Sequence, residues 1–260
     1  MGRSAKDPWF DDRPVHIPAR IGQLPTVCLL PGDPARVGIA ASALDDFVEL
    51  GYNREFRLAT GLRNGVRIAI CSTGIGGPSA EIAVVELSRL GIDTFIRVGG
   101  MGALDPTIQP GSLTQVTLAL RDSGAARFYS DDDEDIPADP EVVQALDDAA
   151  RDRGTRLQQI NVLSCDSYYV GEGRPLPGLE DAASNRMTKA LERGAEAMDM
   201  ECETIYSVAR SLARRYGSLL ATRGNRATDE WLEDYEPTQR LMLDVAIDAA
   251  VALSPSSTMP

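Results

Sequence analysis

The chain has 260 residues, of which 43% are hydrophobic, enough to bury one large core. Its net charge of −13 disfavours binding to nucleic acid or to anionic membrane surfaces. No stretch approaches the roughly 20 apolar residues of a membrane-spanning helix, and the N-terminal segment MGRSAKDPWFDDRPV lacks the apolar core of a signal peptide. We therefore expect a cytoplasmic protein that binds neither nucleic acid nor membranes.

Short β-rich apolar runs alternate with longer amphipathic stretches along the chain. This alternation predicts a single-domain α/β sandwich, in which helices flank a largely buried sheet. The predicted strands begin at Thr26 (TVCLL), Val66 (VRIAICST), Thr94 (TFIRVGG), Ser112 (SLTQVTLAL), Ile160 (INVLSC), Ala197 (AMDME) and Ser218 (SLLAT). The predicted helices cover residues 78–91, 139–153, 203–216 and 237–253.

Three kinds of segment lack this regularity. The acidic run 131–135 (DDDED) is interpreted as a solvated loop, in preference to a metal site, because adjacent carboxylates face different ways. Residues 171–185 are rich in Gly, Pro and small residues, which predicts a mobile flap over a pocket. Residues 1–15 and 254–260 are predicted to be flexible ends of one domain that spans 1–260.

The cysteines and the basic residues narrow the chemistry. The four cysteines are isolated among apolar residues and form no CxxC pair, so we expect reduced thiols in the core of a cytosolic protein. A single histidine argues against a histidine-rich metal centre, and we predict no metal. Lys6 and Lys189 are the only lysines, and arginine is the side chain that binds phosphate with a fixed fork of donors. The cysteines are Cys28, Cys71, Cys165 and Cys202.

The first predicted strand is followed by a glycine turn, PGDPAR. Gly32 lets backbone N–H groups approach a ligand, and Arg36 follows about one helical turn later, so an anion would fit between them. The alternative is an ordinary Pro-Gly turn in which Asp33 caps a helix. On these six residues alone the ordinary turn is favoured.

Two further glycine turns follow the next predicted strands. The segment 72–79 (STGIGGPS) lacks both the Lys-Ser/Thr ending of a Walker motif and a GxGxxG pattern, so ATP and NAD are disfavoured. The segment 97–102 (RVGGMG) puts Arg97 near the end of a buried strand, where its charge needs a partner. The three turns predict one converging crevice. Arg54, taken alone, is interpreted as a surface residue.

Carboxylates alternate with apolar residues in the segment 198–203 (MDMECE). Period-2 spacing puts Asp199, Glu201 and Glu203 on one face if the strand continues to Glu203. Such a carboxylate can accept hydrogen bonds from the paired hydroxyls of a ribose. The alternative, weighted equally, is that Glu203 caps a helix and Glu201 forms a salt bridge.

Taken together and in this order, the motifs resemble those of the nucleoside phosphorylase family, and most closely its uridine phosphorylase branch. The resemblance extends from residue 16 to residue 253. It implies one α/β sandwich with a mixed, partly barrel-like sheet, and a hexamer built from dimers that share their active sites. The matching segments are 31–36 (PGDPAR), 54–56 (REF), 71–79 (CSTGIGGPS), 92–102 (IDTFIRVGGMG), 120–125 (LRDSGA), 164–174 (SCDSYYVGEGR), 201–203 (ECE) and 225–226 (NR).

The resemblance implies a role for each matched residue. The implied phosphate-binding residues are Gly32, Arg36, Arg97, Gly100 and, from a neighbouring subunit, Arg54. The implied ribose-binding residues are Glu201, Cys202, Glu203 and the neighbour's His16, for which a lone surface or interface histidine is the alternative. The implied base-binding residues are Tyr168, Glu172, Arg174, Asn225 and Arg226. The implied catalytic residues are Arg97, Glu203 and Arg174.

Two positions depart from the family pattern. Gly100 stands where the family has a Ser or Thr hydroxyl on the phosphate, so only a backbone donor remains there. Glu172 stands where the family has a glutamine, and an ionised carboxylate accepts hydrogen bonds but donates none. We therefore expect altered base recognition, because losing a paired polar contact changes specificity strongly.

The reaction that the resemblance implies is phosphorolysis of a nucleoside, which gives free base and ribose 1-phosphate. Inorganic phosphate is then a co-substrate, and no cofactor is expected. Because Gly100 weakens the predicted phosphate site, a nucleoside hydrolase remains an alternative, as does a phosphorylase acting on a purine or modified base. A nucleoside-binding relative without activity is a third possibility.

Overall fold

The computed structural model describes residues 4–130 and 134–255. The chain begins with a small hairpin of β1 (Trp9–Phe10) and β2 (Arg13–Pro14). The strands of the large sheet are β3 (Val27–Pro31), β4 (Asp45–Asn53), β5 (Phe56–Arg63), β6 (Val66–Cys71), β7 (Thr94–Ala103), β8 (Leu113–Leu120), β9 (Ile136–Pro137), β10 (Gln158–Ser164), β11 (Ala197–Asp199), β12 (Arg215–Asn225) and β13 (Glu230–Trp231). The helices are α1 (Pro34–Ala40), α2 (Gly77–Arg89), α3 (Pro140–Asp152), α4 (Glu180–Glu192), α5 (Cys202–Ser211) and α6 (Glu236–Leu253).

The large sheet is mixed and partly closed. Strand β7 pairs in parallel with β12, β12 pairs antiparallel with β8, β8 continues in parallel through β10 to β11, and β11 returns antiparallel to β7. These strands form a barrel, and an arm of β3, β6, β5 and β4 extends from β7. The predicted mixed, partly barrel-like α/β sheet is confirmed.

Helices cover both faces of this sheet. In strand β3, Cys28 and Leu30 pack into the core that contains helices α2 and α5, while Val27 and Leu29 pack into the core that contains α1, α3 and α6. Period-2 alternation of side chains sends neighbouring residues to opposite faces, and both faces here are apolar. A strand buried on both sides therefore reads as a continuous hydrophobic run in the sequence.

Most predicted elements are present, and all four cysteines are free and buried, as predicted. Strands β4 and β5 escaped prediction. Strand β4 exposes much of its length to solvent and shows no clear apolar alternation, whereas β5 is mostly buried. The helix predicted over 203–216 ends at Ser211, because Arg215 already begins β12. None of the described helices is long and apolar enough to cross a bilayer.

The irregular segments differ from prediction in part. The flap predicted over 171–185 is wrong from Glu180 onward, where α4 begins with Glu180 and Asp181 favourably placed in its first turn. The end predicted to be flexible over 1–15 contains the β1–β2 hairpin. In the predicted acidic loop, Asp135 accepts a hydrogen bond from the backbone of Arg121. Residues 1–3, 131–133 and 256–260, which belong to predicted loops and ends, lie outside the described residues.

Candidate active site

A cavity of about 1370 Å³ opens at one edge of the sheet. Strands β3, β6, β7 and β12 are mutually parallel where they pair, and residues just after or at their carboxyl ends line this cavity. Ligands of α/β proteins bind at this edge because the loops that follow the parallel strands converge there. The crevice predicted from the three glycine turns is the same cavity.

The first glycine turn is both a helix cap and part of the cavity wall, the two alternatives that the sequence offered. Asp33 caps α1 by accepting a hydrogen bond from the backbone N–H of Ala35 at 2.8 Å, and Gly32 also lines the cavity. A Cβ atom on Gly32 would lie 3.1 Å from the carbonyl oxygen of Gly74, so a larger residue would crowd the neighbouring turn. Helix capping and close approach to the cavity therefore coexist in this segment.

Arg36 reaches the cavity from α1. Its Nε donates to Gln239 Oε1 at 2.7 Å, and its Nη1 lies 3.4 Å from the carbonyl oxygen of Val98. Burial lowers the pKa of Arg36, because the charged form is removed from water. An anion in the cavity would compensate this desolvation.

Arg97 is the central charge of the cavity and is 3% exposed. Its Nε donates to Asp199 Oδ2 at 2.9 Å, and its Nη2 pairs with Glu201 Oε2 at 2.6 Å. Burial opposes the charged guanidinium, but Glu201 and Asp199 raise the pKa of Arg97. A Cβ atom on Gly99 would lie only 2.6 Å from the guanidinium carbon of Arg97, so glycine is required where this side chain folds back.

One donor of Arg97 has no match. The Nη1 atom is buried and has no hydrogen-bond partner among the described residues. An unsatisfied buried donor on a charged group costs free energy unless a ligand completes it. In a guanidinium whose other nitrogens already bind carboxylates, this atom points to an anionic or carbonyl-bearing ligand.

Glu201 joins the second glycine turn to Arg97. Its Oε1 accepts from the backbone N–H of Gly76 at 2.6 Å, and its Oε2 pairs with Arg97. Gly76 has a φ of 93°, a conformation that glycine adopts without strain. Burial raises the pKa of Glu201, whereas Arg97 lowers it. Glu201 lines the cavity and holds a carboxylate beside the buried guanidinium.

Glu203, predicted to bind the ribose, does not line the cavity. Strand β11 ends at Asp199 and α5 begins at Cys202, so the period-2 alternation that would align Glu203 with Glu201 is interrupted. Glu203 is fully buried, and its Oε2 accepts from the backbone N–H groups of Asp122 and Ser123 at 2.7 and 2.6 Å. Its Oε1 has no hydrogen-bond partner among the described residues, so the ribose contact expected of Glu203 stays a prediction.

Cys202 is also fully buried and lies outside the cavity lining. Its Sγ donates to Ser218 Oγ at 3.4 Å, and its backbone N–H donates to Asp199 Oδ2 at 3.0 Å. Asp199 thus binds Arg97 and the first turn of α5 at once. The spacing of the carboxylates predicted Asp199 on the same strand face as Glu201, but no role was assigned to Asp199.

The other end of the cavity contains most of the residues predicted to bind the base. Glu172 is 3% exposed, and its Oε2 pairs with Arg174 at 2.6 Å and with Arg226. The guanidinium of Arg174 stacks 3.7 Å from the ring centroid of Tyr168. Burial lowers the pKa of Arg226, and Glu172 opposes this shift. These four predicted residues lie together.

Asn225 lines the cavity, but its side chain holds the surrounding loops. Its Nδ2 donates to the carbonyl oxygens of Asp105 and Ile108 at 2.7 and 2.8 Å. Its Oδ1 accepts from the backbone N–H groups of Ala227 and Thr228. The side chain is committed to backbone groups, which fits a positioning role better than the predicted contact with the base.

The described chain matches the profile of the phosphorylase superfamily over residues 26–253. It is 38% identical to the uridine phosphorylase of Thermococcus kodakarensis, over 89% of this chain and 84% of that protein. It is 33% identical to the uridine phosphorylase of Escherichia coli, over 86% of this chain and 91% of that protein. It is 31% identical to the guanosine phosphorylase of Halorubrum lacusprofundi, over 81% of this chain and 83% of that protein.

The chain belongs to the phosphorylase superfamily. The resemblance to the nucleoside phosphorylases and to their uridine phosphorylase branch is confirmed, and the protein is an enzyme of the nucleoside phosphorylase class. Several of the residues that line its cavity were given no role from the sequence. These residues are Glu55, Ile75, Met200, Arg223, Trp231 and Tyr235.

Tyr235 is the missed residue with the most direct position in this phosphorylase cavity. It is 9% exposed, and the guanidiniums of Arg36 and Arg223 lie 5.9 and 4.7 Å from its ring centroid. Burial raises the pKa of Tyr235, while Arg36 lowers it. The residue belongs to no glycine turn, and it lies in an acidic segment, 233–236 (EDYE), that was not interpreted from the sequence as part of a site.

Two residues predicted to come from a neighbouring subunit lie outside this cavity. His16 Nδ1 lies 2.7 Å from Glu86 Oε1, in a second cavity of about 500 Å³. Arg54 is exposed at the turn between β4 and β5, where its φ is 54°. Neither lies in the main cavity of its own chain, and their roles in a neighbour's site stay predictions.

Proposed function

We propose that this phosphorylase cleaves the N-glycosidic bond of a nucleoside with inorganic phosphate, as uridine phosphorylases do, and gives free base and ribose 1-phosphate. The observation that carries the proposal is Arg97, which lines a large cavity together with Arg36 and Glu201 and whose buried Nη1 has no hydrogen-bond partner among the described residues. A site that combines arginine donors and a carboxylate suits a ligand pair with an oxyanion and hydroxyl groups.

The proposed phosphate position lies between the first glycine turn and β7. Gly32 offers backbone donors, and Arg36 and Arg97 supply charge that survives at any physiological pH because arginine stays protonated. Gly100 also lines this part of the cavity. The roles of these four residues as phosphate ligands are proposals, supported by their common position.

The proposed ribose contact belongs to Glu201. An ionised carboxylate can accept hydrogen bonds from two vicinal hydroxyls. The contacts of Glu201 with Arg97 and with the backbone N–H of Gly76 hold this carboxylate in place. This assignment leaves Glu203 as a residue that positions the segment around Asp122. In this proposal the carboxylate that binds the sugar, Glu201, pairs with Arg97, which binds the phosphate.

The proposed chemistry needs no protein nucleophile. As the bond between C1′ and the base breaks, its electron pair leaves with the base, and a phosphate oxygen forms the new bond to C1′. The developing positive charge on the sugar is stabilised by the phosphate and by Glu201, and the charge on the base by Arg174 or Arg226. Preorganised charges of this kind supply a large part of enzymatic rate enhancement. No cofactor other than the phosphate co-substrate is proposed.

Recognition of the base is the finer part of the proposal. Glu172 carries a carboxylate that accepts from Arg174 and Arg226, so the three form one polar unit at the base end of the cavity. A carboxylate selects bases that present a ring N–H, which uracil and guanine both do, and rejects bases with an acceptor there. The proposed substrates are therefore uridine-like nucleosides, with guanosine as the first alternative.

The proposed assembly is a hexamer built as a trimer of dimers, in which His16 and Arg54 of one subunit complete the site of its neighbour. Arg54 has an exposed side chain at the tip of a β-turn, and a second arginine brought from outside would add charge to the phosphate position. The free buried cysteines suit a reducing compartment, so the cytoplasm is the proposed location.

The deciding experiment is a panel of nucleosides assayed with and without phosphate, with free base measured by chromatography. The proposal expects base release that depends on phosphate and yields ribose 1-phosphate. Equal release without phosphate would instead identify a hydrolase, which the glycine at position 100 leaves open. Calorimetric binding of nucleosides with no base release under either condition would identify an inactive relative.

A further inference from the structure

The hydroxyl of Tyr235 lies at the proposed phosphate position of the cavity, although Tyr235 belongs to none of the three glycine turns. Strand β7 passes through Gly100, whose missing side chain leaves space above the backbone. A Cβ atom on Gly100 would lie 3.0 Å from the hydroxyl of Tyr235 and 3.8 Å from Nη2 of Arg36. The hydroxyl and the guanidinium therefore flank the point that a side chain at position 100 would occupy.

Tyr235 reaches this point from the N-terminal end of α6. The residue immediately precedes that helix, which packs against β3 and β7 through the core. Its ring lies beside Arg36 and Arg223, and its hydroxyl has one long hydrogen bond, 3.3 Å to the carbonyl oxygen of Ala221. A tyrosine hydroxyl that donates weakly to a carbonyl can transfer that hydrogen bond to a nearby anion, because charge-assisted bonds are stronger.

We infer that the Tyr235 hydroxyl is a phosphate-binding donor, which replaces from α6 the side-chain hydroxyl that Gly100 lacks. This inference rests on the proposed function and adds a ligand to its phosphate position. The hydroxyl also fits the presence of a glycine at position 100, since a Cβ atom there would crowd it. Burial keeps the pKa of Tyr235 above its ordinary value, so the hydroxyl retains its proton at neutral pH.

The test is Tyr235→Phe, which removes the hydroxyl and leaves the ring. A lost hydrogen bond to a charged ligand predicts an increase of at least about tenfold in the KM for phosphate. The KM for the nucleoside should stay near its wild-type value. The matched control is Tyr206→Phe, since Tyr206 is also buried and donates to a backbone carbonyl, that of Val116, away from the cavity. The control should lower thermal stability and leave the KM for phosphate unchanged.

The rescue variant combines Tyr235→Phe with Gly100→Ser. Gly100 does not have a positive φ, so its backbone accepts a serine, and the absent tyrosine hydroxyl leaves room for the new side chain. Recovery of the phosphate KM in the double variant is expected. Gly100→Ser alone should raise the phosphate KM, because the serine and the tyrosine hydroxyl then compete for one space.

Phosphate binding is also measured without turnover, as the phosphate-dependent rise of Tm in each variant. If the wild type depends on phosphate but Tyr235→Phe keeps its phosphate KM and Tm rise, the inference is wrong and the proposed function stands. If the wild type releases base without phosphate and phosphate does not raise its Tm, both are wrong. A Tyr235→Phe defect that Gly100→Ser fails to rescue, with an equal defect in the nucleoside KM, would make Tyr235 a structural residue only.

Discussion

The assignment of the sugar contact to Glu201 and not to Glu203 can be tested with two isosteric variants. Glu201→Gln removes a carboxylate that lines the cavity and pairs with Arg97. Glu203→Gln removes a carboxylate that is fully buried and accepts from two backbone N–H groups. The two substitutions change the same atoms at positions two residues apart, so they are matched controls for each other.

The expected difference follows from the partners of each carboxylate. Hydrogen bonds to a charged group contribute about 1.5–3 kcal/mol, and about 1.4 kcal/mol corresponds to a factor of ten. Glu201→Gln should therefore lower kcat/KM for the nucleoside by about 10- to 100-fold. In Glu203→Gln the amide oxygen still accepts from Asp122 and Ser123, so the kcat/KM should stay close to that of the wild type.

Steady-state phosphorolysis with varied nucleoside and saturating phosphate measures this difference, and circular dichroism verifies that both variants are folded. The KM for phosphate should not rise in Glu201→Gln, because the arginines remain. A loss of kcat/KM in Glu203→Gln equal to or greater than that in Glu201→Gln would refute the assignment. It would also restore the role that the sequence predicted for Glu203.

Three further predictions concern charge. Arg97→Ala should abolish phosphorolysis and the phosphate-dependent rise of Tm, since it removes the buried unpaired donor; wild-type rates at saturating phosphate would contradict this. Glu172→Gln should raise kcat/KM for uridine relative to guanosine, because it restores an amide donor for a carbonyl oxygen; an unchanged ratio in the nucleoside panel would disprove it. Burial raises the pKa of Glu203 above its ordinary 4.5, so its favourable contribution to stability is complete below about 4.5 and is lost as pH rises through the folded-state pKa. The Tm of the wild type minus that of Glu203→Gln should accordingly fall as the pH rises above 4.5, and a flat difference would argue against the raised pKa.

The residues at the proposed phosphate position were largely predictable from the sequence. Gly32, Arg36 and Arg97 each belong to a short segment in which a glycine turn follows an apolar strand, and local chain geometry is enough to bring such residues to one edge of a parallel sheet. The base end was predictable through the family resemblance. Tyr168, Glu172 and Arg174 lie within one short stretch, so their proximity needed no knowledge of the fold.

The sequence by itself determined most of the buried strands and the helices that flank them, the buried thiols and the concentration of arginine donors at strand ends, because these depend on neighbours along the chain. The tertiary structure alone decided which carboxylate faces the cavity, since the bend between β11 and α5 separates Glu201 from Glu203. The tertiary structure also decided how the barrel closes, through the pairing of β7 with β12, and that the hydroxyl of Tyr235 lies beside Gly100. These contacts join residues that are distant in the chain, where neither periodicity nor local propensity contains information about which elements meet.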